Sequence, residues 1–500
     1  CGVTDLILAI DQGTTGSTIA LMDTDGRLLT SVNHEFPQIF PQPGWVEHDP
    51  ESIWQSVLKG LTAVFSDTEY TVSQVAAIGI TNQRETAVLW DSQTGDAVHN
   101  AIVWQCRRTT DVCEGLKAAG HEALIKAKSG LVLDPYFSAT KFKWLLDNAP
   151  QAKALMAEGR LLAGTIDTYL MWRLSNGKAH KTDVSNASRT SLMSLETLEW
   201  DDELLNVFGV PRAILPEICP SSGRFTLTEA VPGLPDGLPV SGVAGDQQSA
   251  LFGQACFDPG DAKCTFGTGS FILMNAGTAP ISSDSGLLST VAWQLEGQDP
   301  VYALEGGAFV CGAAVQWLRD QLGIIDRAAD IEALAASVDS AGGVEFVPAL
   351  AGLGAPYWAP DARGSLTGLT RGSGKGEIAR ATLDAMALQN VDILTAMETD
   401  IGKTMNTLKV DGGASANNLL MQLQSDYLNR PITRPEVIET TVAGACFLAG
   451  LGEGVWASSD DVARVWRSDK AFTVGLTDAK RAERLASWRM AIGRTLHSPT

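Results

Sequence analysis

Residues 7–21 read Ile-Leu-Ala-Ile-Asp-Gln-Gly-Thr-Thr-Gly-Ser-Thr-Ile-Ala-Leu. The apolar run Leu6–Ile10 ends in Asp11, a turn of small and hydroxylated residues follows, and an apolar run resumes at Ile19. This pattern predicts a strand, a tight loop and a second strand. The loop offers backbone N–H groups and hydroxyls, which suit a phosphate, and Asp11 is placed to hold a hard cation beside it. An ordinary hairpin with turn-forming residues fits the same pattern.

The composition is typical of an acidic, folded protein with two domains. With 500 residues, the chain is too long for one hydrophobic core and is expected to form two large domains. Its formal net charge of −21 argues against non-specific binding to nucleic acid or to anionic membranes. If the ligand is a phosphate, backbone amides and a metal ion must supply most of the neutralising charge.

Cysteine usage and hydropathy indicate a cytoplasmic protein. The eight cysteines are scattered and form no Cys-x-x-Cys pair, which favours reduced thiols over a disulfide framework. The six histidines lack the spacing of a zinc site, and no signal peptide is evident. The longest nearly apolar run, Val442–Gly452, is too short to span a bilayer, so no membrane insertion is expected.

Strand and helix patterns alternate along the chain, which predicts an α/β fold. Leu238–Ala244 reads as a buried strand that leads into a helix. The Asp-Pro-Gly turn within Cys256–Ala262 places the domain boundary there and divides the chain into residues 1–255 and 256–500. Lys263–Met274 repeats the apolar runs and the small-residue tip of the opening hairpin, which indicates two related domains.

Three glycine-containing turns follow predicted strands, at Gly13–Ser17, Gly267–Ser270 and Asp411–Ser415. No Gly-x-Gly-x-x-Gly follows a strand, and Gly368–Gly376 departs from a Walker loop in its glycine spacing and its last residue, so a P-loop fold is disfavoured. Two facing small-residue loops can clamp a triphosphate while the third approaches a nucleotide closely. Each is an ordinary turn by default, but together they favour nucleotide binding.

Two polar positions each allow two interpretations. The tip Asn82–Glu85 puts Arg84 beside Glu85, where a hairpin prefers glycine, asparagine or aspartate. It is either a solvated charged turn or a clamp for a hydroxylated substrate, with the arginine donating and the glutamate accepting. Asp246, after the strand Leu238–Ala244, is either a helix cap or a base that accepts a hydroxyl proton during attack on a phosphoryl group.

Two aromatic residues are also candidates for a pocket. Trp104 is by default a core residue, whereas Tyr136 lies in a predicted loop, where a phenol often lines a pocket with its polar tip. Composition alone assigns neither of them to a site.

In their order along the chain, the motifs resemble those of the FGGY carbohydrate kinases, a family of the actin-like ATPase superfamily, and most closely those of its glycerol-phosphorylating members. The resemblance covers nearly the whole chain, from Ala9 to about Trp456. Eight segments carry it: Asp11-Gln-Gly-Thr-Thr, Pro43-Gly-Trp-Val-Glu-His-Asp-Pro, Gly79-Ile-Thr-Asn-Gln-Arg-Glu-Thr, Ile102-Val-Trp-Gln-Cys-Arg-Arg, Asp134-Pro-Tyr-Phe-Ser, Gly245-Asp-Gln-Gln, Gly267-Thr-Gly and Val410-Asp-Gly-Gly-Ala.

The resemblance implies two ribonuclease-H-like domains with ATP and glycerol in the cleft between them. It implies in-line transfer of the γ-phosphoryl group to give sn-glycerol 3-phosphate, with Mg²⁺ on the phosphates, and a homo-oligomer (dimer or tetramer). By matching position, Asp246 would be the general base, Asp11 would act on the Mg²⁺, and Trp104 and Phe271 would lie against the carbon side of glycerol. Contacts to the glycerol hydroxyls are implied for Arg84, Glu85, Tyr136, Asp246 and Gln247. Contacts to the nucleotide are implied for Thr14, Thr15, Gly16, Thr268, Gly312, Gln316, Gly413 and Asn417.

Two segments depart from the pattern of well-known bacterial members. Where those continue Thr-Thr-Ser-Ser-Arg, this chain has Gly16, Ser17 and Thr18 after Thr15, so a hydroxyl and a cation are lost at the phosphate end. Some members carry a Gly/Arg loop that binds an inhibitory sugar bisphosphate; here the region reads Val231-Pro-Gly-Leu-Pro-Asp-Gly-Leu, without a cation. No such inhibition is expected at this loop, and strong, saturable inhibition by fructose bisphosphate would contradict that.

Two alternatives remain at this point. One is a related kinase that acts on another polyol or sugar, such as a pentulose or gluconate, although Arg84 and Glu85 with Trp104 and Tyr136 favour the small triol. The other is a non-catalytic, nucleotide-gated protein of the actin kind. Such a protein would not need a hydroxyl clamp beside a candidate base. For an enzyme, a cleft between two domains predicts closure on substrate binding.

Overall fold

A computed structural model describes residues 5–497 of the protein. Within that range the strands are β1 (Leu6–Gln12), β2 (Gly16–Met22), β3 (Leu28–Glu35), β4 (Glu47–His48), β5 (Val75–Asn82), β6 (Ala87–Asp91), β7 (Ala101–Ile102), β8 (Leu161–Thr165), β9 (Lys181–Asp183), β10 (Glu217–Cys219), β11 (Ser222–Leu227), β12 (Pro239–Gly245), β13 (Asp261–Phe266), β14 (Ser270–Gly277), β15 (Leu288–Trp293), β16 (Val301–Ala308), β17 (Glu345–Val347), β18 (Ser365–Thr367), β19 (Thr407–Asp411), β20 (Ile432–Pro435) and β21 (Ser468–Phe472).

Helices alternate with these strands. They are α1 (Pro50–Ala63), α2 (Thr110–Ala118), α3 (Glu122–Ser129), α4 (Ser138–Asn148), α5 (Ala152–Ala157), α6 (Ile166–Leu174), α7 (Val184–Ala187), α8 (Asp202–Phe208), α9 (Asp246–Gly253), α10 (Gly312–Asp320), α11 (Ile331–Ala336), α12 (Lys375–Ile401), α13 (Asn418–Leu428), α14 (Thr440–Gly452), α15 (Ser459–Val465) and α16 (Asp478–Leu496). Short 3₁₀ turns lie at Val72–Gln74, Arg212–Ile214, Ala328–Asp330 and Gly413–Ala416.

The first half is built on a six-stranded sheet with the order β11–β12–β5–β1–β2–β3. β1 pairs antiparallel with β2, which confirms the predicted strand, loop and strand, and β2 pairs antiparallel with β3. β5 runs parallel to β1, and β12 runs parallel to β5. In this register Asp11 pairs with Thr81, and Thr81 with Ala244. The carboxyl ends of the three parallel strands therefore meet at one edge of the sheet.

The run at the start of β1 is buried on both faces of that sheet, which explains why it is continuously apolar. Leu6, Leu8 and Ile10 belong to one core, which also contains residues of α1. Ile7 and Ala9 point to another core, which contains residues of α14 from the far end of the chain.

The second half repeats the plan of the first. Its seven-stranded sheet has the order β15–β16–β14–β13–β19–β20–β21. Here β13, β14 and β16 form the antiparallel part, while β19 and β20 run parallel to β13. The predicted echo of the opening hairpin at Lys263–Met274 is therefore confirmed, because β13 and β14 occupy the places that β1 and β2 hold in the first sheet.

The connection Asn82–Glu85 is not a hairpin tip, so that part of the sequence interpretation was wrong. β5 lies in the six-stranded sheet, whereas β6 lies in a separate four-stranded sheet with the order β4–β7–β6–β8. Because β5 already has parallel partners on both sides, the chain leaves the sheet at Asn82 and turns through Glu85, whose φ is +63°. The polar residues thus lie in a crossing segment.

Helix α14 of the second half packs closely on α9 and on the central strands of the first sheet. Glycines permit this approach, because a Cβ at Gly79 would overlap the carbonyl oxygen of Ala445, and one at Gly444 would overlap that of Ser249. The apolar run Val442–Gly452 is therefore a buried crossing helix. In the described part of the chain, no helix is long and apolar enough to cross a membrane.

Candidate active site

Two loops at corresponding edges of the two sheets frame the candidate site. Between β1 and β2, the amide of Gly13 donates to the carbonyl of Gly16 at 2.9 Å. Between β13 and β14, Thr268 is exposed, and the carbonyl of Gly267 accepts from the amide of Gly312 at the start of α10 at 2.9 Å. These loops bring Thr14, Thr15, Gly16, Thr268 and Gly312 to the carboxyl edges of the sheets, where α/β proteins bind ligands.

The crossing segment is buried, so the solvated-turn alternative for Arg84 and Glu85 is wrong. Arg84 is 3% exposed and Glu85 is 1% exposed. The Arg84 guanidinium lies 3.3 Å from Asp246 Oδ1 through Nε, and it donates from Nη2 to the Tyr136 hydroxyl at 3.2 Å. One buried cation therefore gathers the candidate base and a candidate pocket phenol.

Two residues that the sequence interpretation missed complete the charge balance around this clamp. Glu305 on β16 of the second half pairs with Arg84 Nη1 at 2.6 Å and with Arg189 Nη2 at 2.7 Å. Arg189 is fully buried and pairs through Nε with Glu85 at 2.7 Å. Breaking a buried pair leaves an uncompensated charge, at roughly 3–5 kcal/mol. The four charges alternate in sign, and the pairs of Glu305 join the two halves of the chain at this cluster.

Burial and the neighbouring charges of opposite sign shift the pKa values of the two glutamates in this cluster. Burial raises the pKa of the Glu85 carboxyl, although the charges of Arg84 and Arg189 oppose that shift. For Glu305, burial acts in the same direction, but the charges of Arg189 and Arg84 prevail and lower its pKa. Glu305 thus stays ionised and fixes the guanidinium of Arg84 in one orientation.

Asp246 is the first residue of α9, and the helix is capped by Gly245 without a side-chain bond. The helix-cap alternative is therefore wrong. Asp246 Oδ1 accepts from the amide of Gln247 at 2.8 Å and faces Arg84, while 35% of the side-chain surface is exposed. Burial raises its pKa, and Arg84 opposes that shift. Both contacts use Oδ1, which leaves Oδ2 for a proton.

Asp11 is the next-to-last residue of β1, near enough to Asp246 to feel its charge. Burial, and then the charge of Asp246, raise the pKa of Asp11 to about 7. A cation would relieve this repulsion, and carboxylate oxygens are ligands that Mg²⁺ prefers. Among residues 5–497, no group of three or more acidic, histidine or cysteine side chains is arranged to hold a metal. Asp11 therefore fits an ion whose remaining ligands are phosphate oxygens and water.

Trp104 lies between Thr14 and Tyr136. It is only partly buried, so it is not simply a core residue. Its indole Nε1 donates to the hydroxyl of Thr14 at 3.0 Å. Its ring meets that of Tyr136 edge-on, with centroids 5.8 Å apart. An aromatic wall thus extends from the phenol beside Arg84 to the first small-residue loop.

A partly buried chain of hydrogen bonds, which the sequence interpretation also missed, supports the same loop. Gln38 donates to the carbonyl of Thr14 at 2.9 Å, and its amide oxygen lies 2.7 Å from His48 Nε2. His48 Nδ1 lies 3.3 Å from the amide nitrogen of Gln83. Burial lowers the pKa of His48 to about 4, so the ring is neutral near pH 7. It donates from Nε2 and accepts at Nδ1.

The remaining predicted residues lie on the second half or beside it. Gln316 on α10 and Gly413 after β19 are exposed, and Asn417 caps α13 by accepting from the amide of Leu420 at 2.9 Å. Phe271 lies on β14 and is partly buried. Gln247, which follows Asp246, reaches the second half through a hydrogen bond from Lys263.

The departures at the first loop have a structural counterpart. A Cβ at Gly16 would lie 2.9 Å from the side-chain oxygen of Asn33 and 3.0 Å from the carbonyl of His34 on β3. Thr18 accepts a hydrogen bond from Asn33 at 2.9 Å. Gly16 and Thr18 therefore both contact β3. The groups left for a ligand are the backbone of the loop and the hydroxyls of Thr14 and Thr15.

Signals in the sequence could have found some of the missed residues. Glu305 is a lone carboxylate in an otherwise apolar strand, Val301–Ala308, which is the pattern of a paired buried charge. Arg189 gives no such signal, because it stands in a mixed polar segment and only the fold buries it.

Comparison with known proteins identifies relatives over almost the whole chain. The profile of the FGGY family of carbohydrate kinases matches with its N-terminal domain over residues 6–253 and with its C-terminal domain over residues 262–453. A glycerol kinase of Bdellovibrio bacteriovorus is 57% identical over 492 residues, which cover 98% of this chain and 99% of that protein.

Solved structures agree with the sequence comparison. The crystal structure of Plasmodium falciparum glycerol kinase with ADP superimposes with a TM-score of 0.94 at 37% identity and covers 99% of both chains. A gluconate kinase from Lactobacillus acidophilus superimposes with a TM-score of 0.88 at 22% identity, covering 99% of both chains. The second likeness concerns the fold alone.

Proposed function

The chain belongs to the FGGY family of carbohydrate kinases, and on that premise we propose that it transfers the γ-phosphoryl group of ATP to glycerol, giving sn-glycerol 3-phosphate and ADP. The similarity to glycerol kinases, at 57% identity in one relative, supports glycerol as the acceptor. The observation that carries the proposal is the contact of one buried guanidinium, Arg84, with both Tyr136 and Asp246. It joins a hydroxyl clamp to a proton acceptor.

In this proposal Asp246 is the general base. Arg84 and the amide of Gln247 hold Oδ1, so Oδ2 accepts the proton of a terminal hydroxyl. As that proton leaves, the hydroxyl oxygen forms a bond to the γ-phosphorus and the bond from that phosphorus to the ADP oxygen breaks. Glu85 and Tyr136 bind the other hydroxyls, while Trp104 and Phe271 lie against the carbon side of glycerol.

The phosphates are assigned to the two small-residue loops. Thr14, Thr15 and Gly16 would contact them from the first half, and Thr268 from the second. Gly312, Gln316, Gly413 and Asn417 would hold the rest of the nucleotide, and Gly413 fits because its Cα faces open space. Asp11 would hold Mg²⁺, which neutralises phosphate charge when bound.

A coupled assay of ADP formation with glycerol, a ketopentose and gluconate as separate acceptors tests the proposal. We expect the highest kcat/KM with glycerol. A ketopentose that exceeds glycerol by a large factor would assign the chain to another kinase of the family. ADP formation that no acceptor stimulates would favour the non-catalytic alternative.

We also propose a cytoplasmic location, because the seven described cysteines are free of disulfides. The homo-oligomer implied by the resemblance and the boundary between residues 255 and 256 stay predictions. Sedimentation of the purified protein would test the first of these.

A further inference from the structure

Lys263 is a buried cation where the two halves meet at the site. It lies on β13 and is fully buried. Its Nζ donates to Gln247 Oε1 in the first half. It also donates to the Thr265 hydroxyl at 2.9 Å and to the carbonyl of Phe271 at 3.4 Å in the second half.

The partners of Lys263 are all neutral, which is unusual for a buried lysine. Among residues 5–497, no carboxylate lies within ion-pair distance of Nζ. Asp411, Glu305 and Asp246 favour its charged form from farther away, although burial lowers its pKa. A lysine that only balanced charge would contact one of these carboxylates. The three donors of Lys263 are instead directed at an amide oxygen, a hydroxyl and a carbonyl.

The contact determines which end of the Gln247 amide faces the lysine. An ammonium group has donors and no acceptor, so only Oε1 of Gln247 can bind it. Nε2, with two N–H groups, is then directed elsewhere, and Gln247 is partly exposed beside Asp246. Within the described residues, no other side-chain hydrogen bond of Gln247 competes with this arrangement.

We propose that Lys263 is a positioning residue that orients Gln247 so that Nε2 donates to a hydroxyl of the acceptor substrate. The inference rests on the proposed function and names the group that prepares its acceptor site. Asp246 removes a proton from the attacking hydroxyl, whereas Gln247 donates to a neighbouring one. The same ammonium group holds the carbonyl of Phe271, the apolar wall of the site, so one cation sets both contacts.

A double-mutant cycle tests the proposal. Lys263→Met, Gln247→Met and the double variant are compared with the unaltered protein by calorimetric titration with glycerol and by steady-state kinetics. Each single variant is expected to weaken glycerol binding about tenfold, which corresponds to the net loss of one hydrogen bond. The double variant is expected to lose little more than either single variant, because both changes remove the same interaction. The KM for ATP should change less than twofold.

Two further variants serve as controls. Lys409 is the register partner of Lys263 on β19, and its Nζ donates to the backbone carbonyl of Gln254. Lys409→Met should therefore leave glycerol affinity unchanged. Lys263→Arg keeps a donor for Gln247 and should retain glycerol affinity within about threefold. If Lys263→Met fails to fold by circular dichroism, the expected loss is tested with Gln247→Met and the expected retention with Lys263→Arg.

Several results would overturn the inference. One is unchanged glycerol affinity in Gln247→Met, and another is a double variant whose loss is the product of the single losses. If Lys263→Met weakens the binding of ATP and of glycerol equally, the role of Lys263 is a general structural one. A tenfold loss of glycerol affinity in a folded Lys263→Arg would indicate the same. If the unaltered protein prefers another polyol, the proposed function fails, and the same cycle is run with that polyol.

Discussion

At the residue scale, the proposed chemistry depends on the carboxylate of Asp246. Asp246→Asn keeps the size of the side chain and an oxygen for Arg84, but it removes the proton acceptor. We expect kcat to fall on the order of 10²-fold or more, with KM for glycerol within a few-fold of the original. The coupled ADP assay measures both constants. Near-normal turnover of Asp246→Asn would remove this residue from the role of base.

Asp11 allows a test of stability against pH. Its pKa is about 7 in the folded protein, against an ordinary value of 3.8. Between these values the folded state holds a proton that the unfolded state has lost, so this group's contribution to the free energy of unfolding falls as pH rises from about 4 to about 7. Above pH 7 the ionised carboxylate destabilises the ligand-free protein.

Asp11→Asn is therefore expected to raise the melting temperature of the ligand-free protein at pH 8 by about 1–3 °C. The gain should shrink at pH 5, where Asp11 of the unaltered protein is already protonated. Calorimetric scans at the two pH values measure the difference, and an equal gain at both would contradict the argument. The same variant should bind Mg²⁺–ATP more weakly, because it lacks the carboxylate proposed for the ion.

Single residues differ in how well the sequence predicts them. Arg84, Tyr136 and Asp246 were predicted as site residues because they stand in ordered motifs, and the structure places Arg84 3.3 Å from Asp246 and 3.2 Å from Tyr136. Their roles stay predictions. Arg189 was missed because nothing local reveals that this cation will be fully buried. Its partners, Glu85 and Glu305, come from distant segments, so only the fold creates the pairing.

At the scale of elements, the contact between α14 and α9 is the most demanding one. Gly444→Ala would place a methyl group on the carbonyl oxygen of Ser249, which is backbone of α9 and cannot move aside alone. We expect a loss of several kcal/mol in the free energy of unfolding, above the roughly 1–3 kcal/mol that is typical of overpacking a core. Urea denaturation of the purified variant, or its absence from the soluble fraction, would report this loss.

Gly115→Ala is the matched control. Gly115 also lies inside a helix, α2, but no atom lies within 4 Å of the position of an added Cβ. Alanine should there be neutral or stabilise by about 0.5–1 kcal/mol, because it restricts the unfolded chain and favours the helix. Equal effects of the two substitutions would show that the α14 contact is looser than described.

Strands and helices were predicted well where the pattern of apolar residues fits only one type of element. The strand, loop and strand from Leu6 to Met22 follow directly from apolar runs around a small-residue turn. The crossing segment Asn82–Glu85 was misread as a hairpin, because local turn chemistry does not say which sheet the next strand joins. The run Val442–Gly452 has no polar residues, so it lacks the alternation of apolar and polar positions that would predict a helix and its buried face.

At the scale of the whole molecule, two polar contacts join the halves beside the candidate site, in addition to the packing of α14 on the first sheet. Arg84 with Glu305, and Lys263 with Gln247, tie the sheets together there. Closure would bring the small-residue loops at the edges of the two sheets towards one another. We expect glycerol with a non-hydrolysable ATP analogue to reduce the radius of gyration, because closure excludes water from the phosphoryl group.

Small-angle scattering measures that change. Glycerol alone serves as the control and should produce a smaller change, since most of the residues proposed to contact it lie in the first half. An unaltered radius of gyration with both ligands present would count against closure. The repeated strand order of the two halves could be expected from the sequence. The contacts Arg84–Glu305 and Lys263–Gln247 could not, because each joins residues more than ten positions apart.

The crossing helix α14 has a consequence for synthesis on the ribosome. The first six-stranded sheet is complete once Gly245 has been made, but the face that α14 covers stays bare until Gly452 emerges. At about 5–20 residues per second, this interval lasts on the order of 10–40 s. During that time Ile7, Ala9 and their neighbours are exposed on a nascent chain, so holding chaperones have a defined apolar target until translation is nearly finished.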